Sequence, residues 1–198
     1  MDTKLESLLK TVLPELPNET AQKLCALEKL VGEWNERLNL VSRKDVENLS
    51  ERHLLHSLML AKIWTPAEGA AVADIGSGGG FPGLPMAIVY PQAQFTLIDS
   101  VAKKGAAVRE MAKELGLKNV RIISARAESV KEKFDYVLGR AVTALPEVLG
   151  WAGPLLRSGK AGNLENGVLY FKGTLWKEEL ANLPKLQPAE IWDLEKFC

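Results

Sequence analysis

In the first third of the chain, apolar positions recur at three- and four-residue steps. A short helix is predicted over residues 5–13, stopped near Pro14 and Pro17. Asn18 has a side chain suited to cap a second helix. Its Leu24, Leu27, Val31, Trp34 and Leu38 make one apolar stripe. Asn39, Ser42, Arg43 and Lys44 break that period. Asp45 can then cap a third helix carrying Leu49, Arg52, His53, His56 and Leu60, with the two histidines on one face. Residues 64–69 end the helical layer and link it onward.

From residue 71 the rhythm becomes strand–helix alternation, the pattern of a parallel sheet. Strands are predicted at 71–75, 94–98, 120–123, 134–138 and 168–171. A helix after Pro82 turns Leu84, Ile88 and Val89 inward. Another, over 101–115, buries Ala107, Met111 and Leu115 and ends at Gly116. The glycine-, asparagine- and lysine-rich stretch 157–167 reads as a mobile, solvent-exposed loop. The fold class is α/β, with a helical cap over residues 1–69 and one sheet-based core over 70–198, the two forming a single compact unit.

One stretch carries candidate chemistry. The apolar run ending at Asp74 and Ile75 dissolves into Gly76, Gly78, Gly79 and Gly80, followed by Phe81, Pro82 and Gly83. Glycines permit a tight turn and let a ligand lie against bare backbone. The spacing is not a dinucleotide fingerprint, because Phe81 stands where its last glycine would fall, and no P-loop lysine follows. The next strand ends in Asp99, placed to meet two ribose hydroxyls. Polar residues close the other strands: Arg126 and Glu128, Arg140, and Lys172. Together these positions describe a nucleoside-type cofactor site on the carboxyl rim of the sheet.

Bulk composition narrows the function. The 198 residues hold 25 basic and 25 acidic side chains, so no global field recruits a polyanion and nucleic acid would need a local patch. Cys25 and Cys198 are far apart and fit no metal spacing, and His53 and His56 have no third ligand, so no metal is expected. Cys25 reads as core filler. The start Met1–Lys4 lacks the basic-then-apolar order of a signal peptide and no long apolar segment occurs, which points to a soluble cytoplasmic protein without membrane contact, monomeric by default.

Six pieces in order carry a resemblance: Asn39-Leu40 with Arg52-His53, Asp74 through Pro85, Leu97 through Ser100, Arg126-Ala127-Glu128, Gly139-Arg140-Ala141, and Tyr170 through Gly173. Over roughly residues 20–180 the chain resembles the bacterial small-subunit ribosomal RNA guanine-N7 methyltransferases, the glucose-inhibited division protein B family. The resemblance implies a class I S-adenosylmethionine-dependent methyltransferase fold, Rossmann-like, with a helical cap. It implies a guanine near the decoding region of small-subunit RNA, within a ribosomal particle, as substrate, and S-adenosylhomocysteine as product. Carried over, Gly76, Gly78 and Phe81 contact the cofactor, Asp99 binds its ribose, Ala127 and Glu128 flank its adenine, and Arg140 lies on the rim. Asn39, His53, Arg126 and Lys172 match substrate-positioning places, and Arg43, Lys44, Arg52 and Lys172 are RNA-contact candidates.

The chain departs from the family at His56, where an aspartate is usual, and at the C-terminus, where members normally continue into a final strand pair. Attack by guanine N7 needs no general base, consistent with a site lacking an acid–base dyad. A methyltransferase acting on another RNA or a small molecule shares the same cofactor half. A nicotinamide oxidoreductase conflicts with Phe81, and a noncatalytic RNA-binding module leaves Asp99 without a role.

Overall fold

The computed structural model describes residues 3–173, 176–181, 183 and 190–197. Cys198 lies outside them, as do the side chains of Arg43 and Lys44. The cap begins with α1 (Lys4–Val12), entered through a capping box in which Thr3 and Glu6 exchange hydrogen bonds. The second helix, α2 (Asn18–Asn35), buries Leu24, Leu27, Leu30 and Val31. Its N-cap is Pro17 rather than Asn18, which is the first helical residue and makes no capping bond. Trp34 is half-buried beneath the Arg37 guanidinium rather than enclosed.

A short α3 (Arg43–Val46) contains Asp45, so Ser42, not Asp45, occupies the cap position. The expected third helix is three geometries in succession: a π-helix at Ser50–Leu55, one α-helical turn α4 (His56–Leu58), and a 3-10 turn at Met59–Lys62. Wide i→i+5 bonding, such as His56 N–H to the Glu51 carbonyl, places Arg52, His53 and His56 against the sheet rim.

Five parallel strands follow: β1 (Ala71–Ile75), β2 (Gln94–Asp99), β3 (Val120–Ser124), β4 (Tyr136–Arg140) and β5 (Gly167–Phe171), in spatial order β3-β2-β1-β4-β5. The crossover helices are α5 (Gly83–Val89), α6 (Ala102–Glu114) and α7 (Leu145–Ala152), with α8 (Trp176–Ala181) after β5. Side chains alternate across β1. Val72 joins Phe95, Leu97, Tyr136 and Leu138 in the core shared with α5, α6 and the cap, including Leu54, Leu58 and Trp64. Ala73 and Ile75 face the opposite core with Ile98, Val137 and Val148. Burial on both faces is why these strands read as apolar runs rather than alternating ones.

The chain runs outward from β1 to β3, then returns to β4 on the other side of β1. That reversal opens a crevice at the carboxyl end of β1.

Two further expectations are corrected. The fourth strand begins at Tyr136, two residues late: Phe134 pairs with Leu156, and Asp135, which bonds Ala71 and Gly167 through its backbone, also accepts the Ala71 N–H on its carboxylate (2.8 Å). Consequently Gly139 and Arg140 are strand residues rather than a loop. The stretch 157–167 is not a free loop. Asn163 accepts from Thr65 N–H at 2.7 Å and donates to the Ile63 carbonyl at 2.8 Å. Pro66 pairs with Gly162, where a Cβ would come within 2.4 Å of the Thr65 carbonyl. This clasp ties the interlayer link to the β4–β5 connection.

Candidate functional site

At the crevice, β1 gives way to backbone that only glycine adopts easily. Gly76, Gly78 and Gly80 have φ of 64°, 55° and 94°. Gly76 and Ser77 donate to the Ile98 carbonyl at 2.8 and 3.2 Å, folding the loop over the end of β2. The loop is crowded from behind. A Cβ on Gly76 would meet Val142 at 2.8 Å, one on Gly79 would meet Leu40 at 3.1 Å, and one on Gly80 would meet Leu84 at 2.6 Å. Over Gly78, by contrast, a Cβ would meet nothing nearer than the Gly76 carbonyl at 3.9 Å. Bare backbone therefore faces open space at that one position.

Beside that space stands Asp99. Its Oδ2 accepts from Gly78 N–H and its Oδ1 from Val101 N–H, both at 2.8 Å. Each oxygen is thus aimed by a backbone donor and keeps a lone pair for a further one. Behind the loop, Asp74 is fully buried. Its Oδ2 accepts from Gly83 N–H at 2.8 Å, and Oδ1 has no partner among the described residues. Burial pushes its pKa up to about 7, against the lowering influence of the Gly83 bond and Arg140. An open cradle, a doubly aimed carboxylate and an orphaned buried oxygen suit a nucleoside carrying a polar amino-acid tail.

The cap closes the other side. Arg140 reaches from β4 into the π-helix, donating to the Arg52 carbonyl at 2.9 Å and meeting His53 Nδ1 at 2.5 Å and His56 Nδ1 at 3.3 Å. A guanidinium only donates, so both Nδ1 atoms accept and each neutral ring carries its proton on Nε2. Burial, then the Arg140 charge, lowers both histidines to about 4. Phe81 lies between, its ring 5.2 Å from that of His53 and 5.6 Å from the guanidinium. Asp45 accepts from Ser42 at 2.5 Å and Arg52 at 2.8 Å, which hold it below the usual carboxylate range.

These shifts predict a pH dependence of stability. Each histidine titrates near 6.5 unfolded and near 4 folded, so unfolding takes up two protons as pH falls through that window, and the stability present above 6.5 is lost. Asp74 acts oppositely, because its raised pKa favours the folded state as pH falls below 7. The histidines outnumber it. Urea unfolding should therefore show lower stability at pH 5.5 than at pH 7, and the H53N/H56N double variant should remove or reverse that loss.

The remaining sequence candidates are placed around this centre. Asn39 is exposed beside Leu40, which backs onto Gly79. Ala127 is buried at the end of β3, while Glu128 is exposed near Arg126 at 3.7 Å. Lys172 follows β5 and pairs with Glu179 at 2.6 Å. Arg126 and Lys172 therefore stand at opposite sheet edges, four strand spacings or roughly 19 Å apart. Arg52 is paired with Asp45. Sequence reasoning missed Val142, which packs on Gly76 after Ala141 turns at φ 52°. It also missed Glu179, which accepts from the Leu145 N–H at 2.7 Å.

Comparison with known proteins fits this geometry. Residues 20–190 match the family model described as rRNA small subunit methyltransferase G. A ribosomal RNA small subunit methyltransferase G of Cytophaga hutchinsonii is 40% identical over 190 residues, covering 96% of this chain and 91% of that protein. One from Flavobacterium psychrophilum is 42% identical over 187 residues, covering 94% and 89%. Among solved structures, the precorrin-6y C5,15-methyltransferase of Geobacter metallireducens shares the fold, with a TM-score of 0.50 and 15% identity over 74% of this chain and 71% of that one.

Proposed function

Because the chain belongs to the rRNA small subunit methyltransferase G family, we propose that it transfers a methyl group from S-adenosylmethionine to N7 of one guanine in small-subunit ribosomal RNA, near the decoding region. The observation that carries this reading is the open space over Gly78 beside the doubly aimed Asp99 carboxylate, at the crevice where strand order reverses.

S-adenosylmethionine, when bound, supplies an electrophilic methyl group on a sulfonium. Asp99 would hold the ribose hydroxyls, Gly78 would let the ligand approach the backbone, Gly76, packed on Val142, would set the turn beside it, and Ala127 and Glu128 would border the adenine. Phe81, packed between Arg140 and His53, walls off the reacting end from the cap. No side chain has to remove a proton, because guanine N7 bears a lone pair and no hydrogen. The histidines agree with that, since their Nδ1 lone pairs are already engaged by Arg140. The protein's contribution is alignment and water exclusion, which in favourable intramolecular models lower a barrier by roughly 7–11 kcal/mol.

Asn39, His53, Arg126 and Lys172 position the substrate in this reading, and Arg43, Lys44, Arg52 and Lys172 meet RNA phosphates. Incoming phosphates compete with Asp45 for Arg52 and with Glu179 for Lys172. Residues 1–69 act as the cap and 70–198 as the catalytic core. Among the described residues no helix is long and apolar enough to cross a membrane. The enzyme works as a cytoplasmic monomer on a ribosomal particle.

Labelled S-adenosylmethionine, unmethylated small subunits and the purified chain should yield a single N7-methylguanosine on nucleotide mapping. Methylation of free guanosine with none on the subunit would reassign the substrate to a small molecule.

A further inference from the structure

Arg140 is held at the seam by an unusual set of acceptors for a half-buried guanidinium. It lies 87 and 84 residues along the chain from His53 and His56, yet both rings and the Arg52 carbonyl converge on it. These three contacts engage three of its five N–H groups. The acceptors are uncharged, so they orient the guanidinium without cancelling its charge, as a hydrogen-bonded carboxylate would.

The surroundings are specific. Facing the trio are Arg52 on the π-helix and Asp45 from α3, paired with each other, with Asp45 3.9 Å from His53 Nε2. From β1, buried Asp74 acts on Arg140 through its field. From β5, the Phe171 ring packs on His56 at 4.8 Å between centroids. Phe81, at the end of the glycine loop, has its ring 5.6 Å from the Arg140 guanidinium.

We propose that His56 is a positioning residue for methyl transfer: its Nδ1 lone pair fixes the Arg140 guanidinium against Phe81 while leaving that charge free to attract an oxyanion. The inference rests on the function proposed for the same site. Both ligands carry such a group, a carboxylate in the cofactor and phosphates in the RNA.

Three measurements decide it. Long-range 1H–15N spectra of the wild-type protein at pH 7 should show His56 with a bare Nδ1 and a protonated Nε2. H56L keeps the packing on Phe171 but lacks an acceptor, and should lose about 10- to 100-fold in kcat/KM, the scale of one hydrogen bond to a charged group. H56N returns an acceptor oxygen near the Nδ1 position without a titrating group and should restore most of that activity. Weaker binding of S-adenosylhomocysteine by H56L assigns the oxyanion to the cofactor carboxylate, weaker binding of small-subunit RNA assigns it to a phosphate, and a loss confined to kcat places it in the transition state. Each of these supports positioning. A proton on Nδ1, an H56L enzyme equal to wild type, or an H56N enzyme no better than H56L overturns it. Should the wild-type protein fail to methylate small subunits, the proposed function falls, while the tautomer and the S-adenosylhomocysteine affinities still decide the role of His56.

Discussion

Asp99→Ala is expected to bind S-adenosylhomocysteine at least about 100-fold more weakly than wild type, because two hydrogen bonds from a ribose diol to a charged acceptor are lost together. The geometry makes this carboxylate hard to replace. Its two oxygens already accept from Gly78 and Val101 N–H, so their remaining lone pairs are aimed before any ligand arrives. Asp99→Asn does not repair the site, since the amide NH2 must face one of those two donors. Asp99 sits at a half-exposed rim, where water can solvate the freed backbone donors, so the fold should survive. Calorimetric titration at unchanged thermal midpoint is the check. Wild-type affinity in Asp99→Ala would remove the ribose from this position.

Gly83→Ala should act through stability instead. Gly83 has no unusual φ. Its requirement is close approach, because a Cβ there would lie 2.7 Å from Asp74 Oδ2 and 2.8 Å from Leu97 Cγ, both fully buried. Relieving that overlap also stretches the bond from Gly83 N–H, the one hydrogen bond that the described residues make to the Asp74 carboxylate. Overpacking together with a weakened buried hydrogen bond costs about 2–4 kcal/mol. For a chain of this size that lowers the thermal midpoint by roughly 5–15 °C. A midpoint within a degree of wild type would show that α5 can shift away from β1 freely.

The sequence disclosed the core of the molecule where each residue reports its own environment. The runs at 71–75 and 94–98 are apolar because both faces of β1 and β2 are covered, and the observed strands follow them to within one residue. The turn at Gly76–Gly80 was legible because a run of glycines after an apolar strand marks backbone that bends tightly, and Asp99 because it is a carboxylate closing the next strand. What stayed hidden depends on partners distant in sequence. Nothing in Asp135 announces that its carboxylate captures the Ala71 N–H, or in Phe134 that it pairs with Leu156. The π-helix has no residue signature of its own, and its contacts with Arg140 come from a strand more than 80 residues away. Asn163 and Asn166 look the same in a solvated loop as in one tied down. Arg140 stands out in the sequence as a polar residue closing a strand, but its histidine cradle required the fold.

The asparagine clasp also imposes an order in time. Asn163 meets backbone 98 and 100 residues earlier, at Thr65 and Ile63. Joining such distant segments carries a large loop-closure entropy, which the intervening sheet must reduce first. The clasp is therefore expected to close late in folding, after β1 and β4 have paired, as the last hydrogen-exchange protection to appear on refolding at Thr65 N–H. Until it does, the connector between the helices and the sheet lacks its final anchor, and the nascent chain reaches its finished form only once residues beyond 160 have been made.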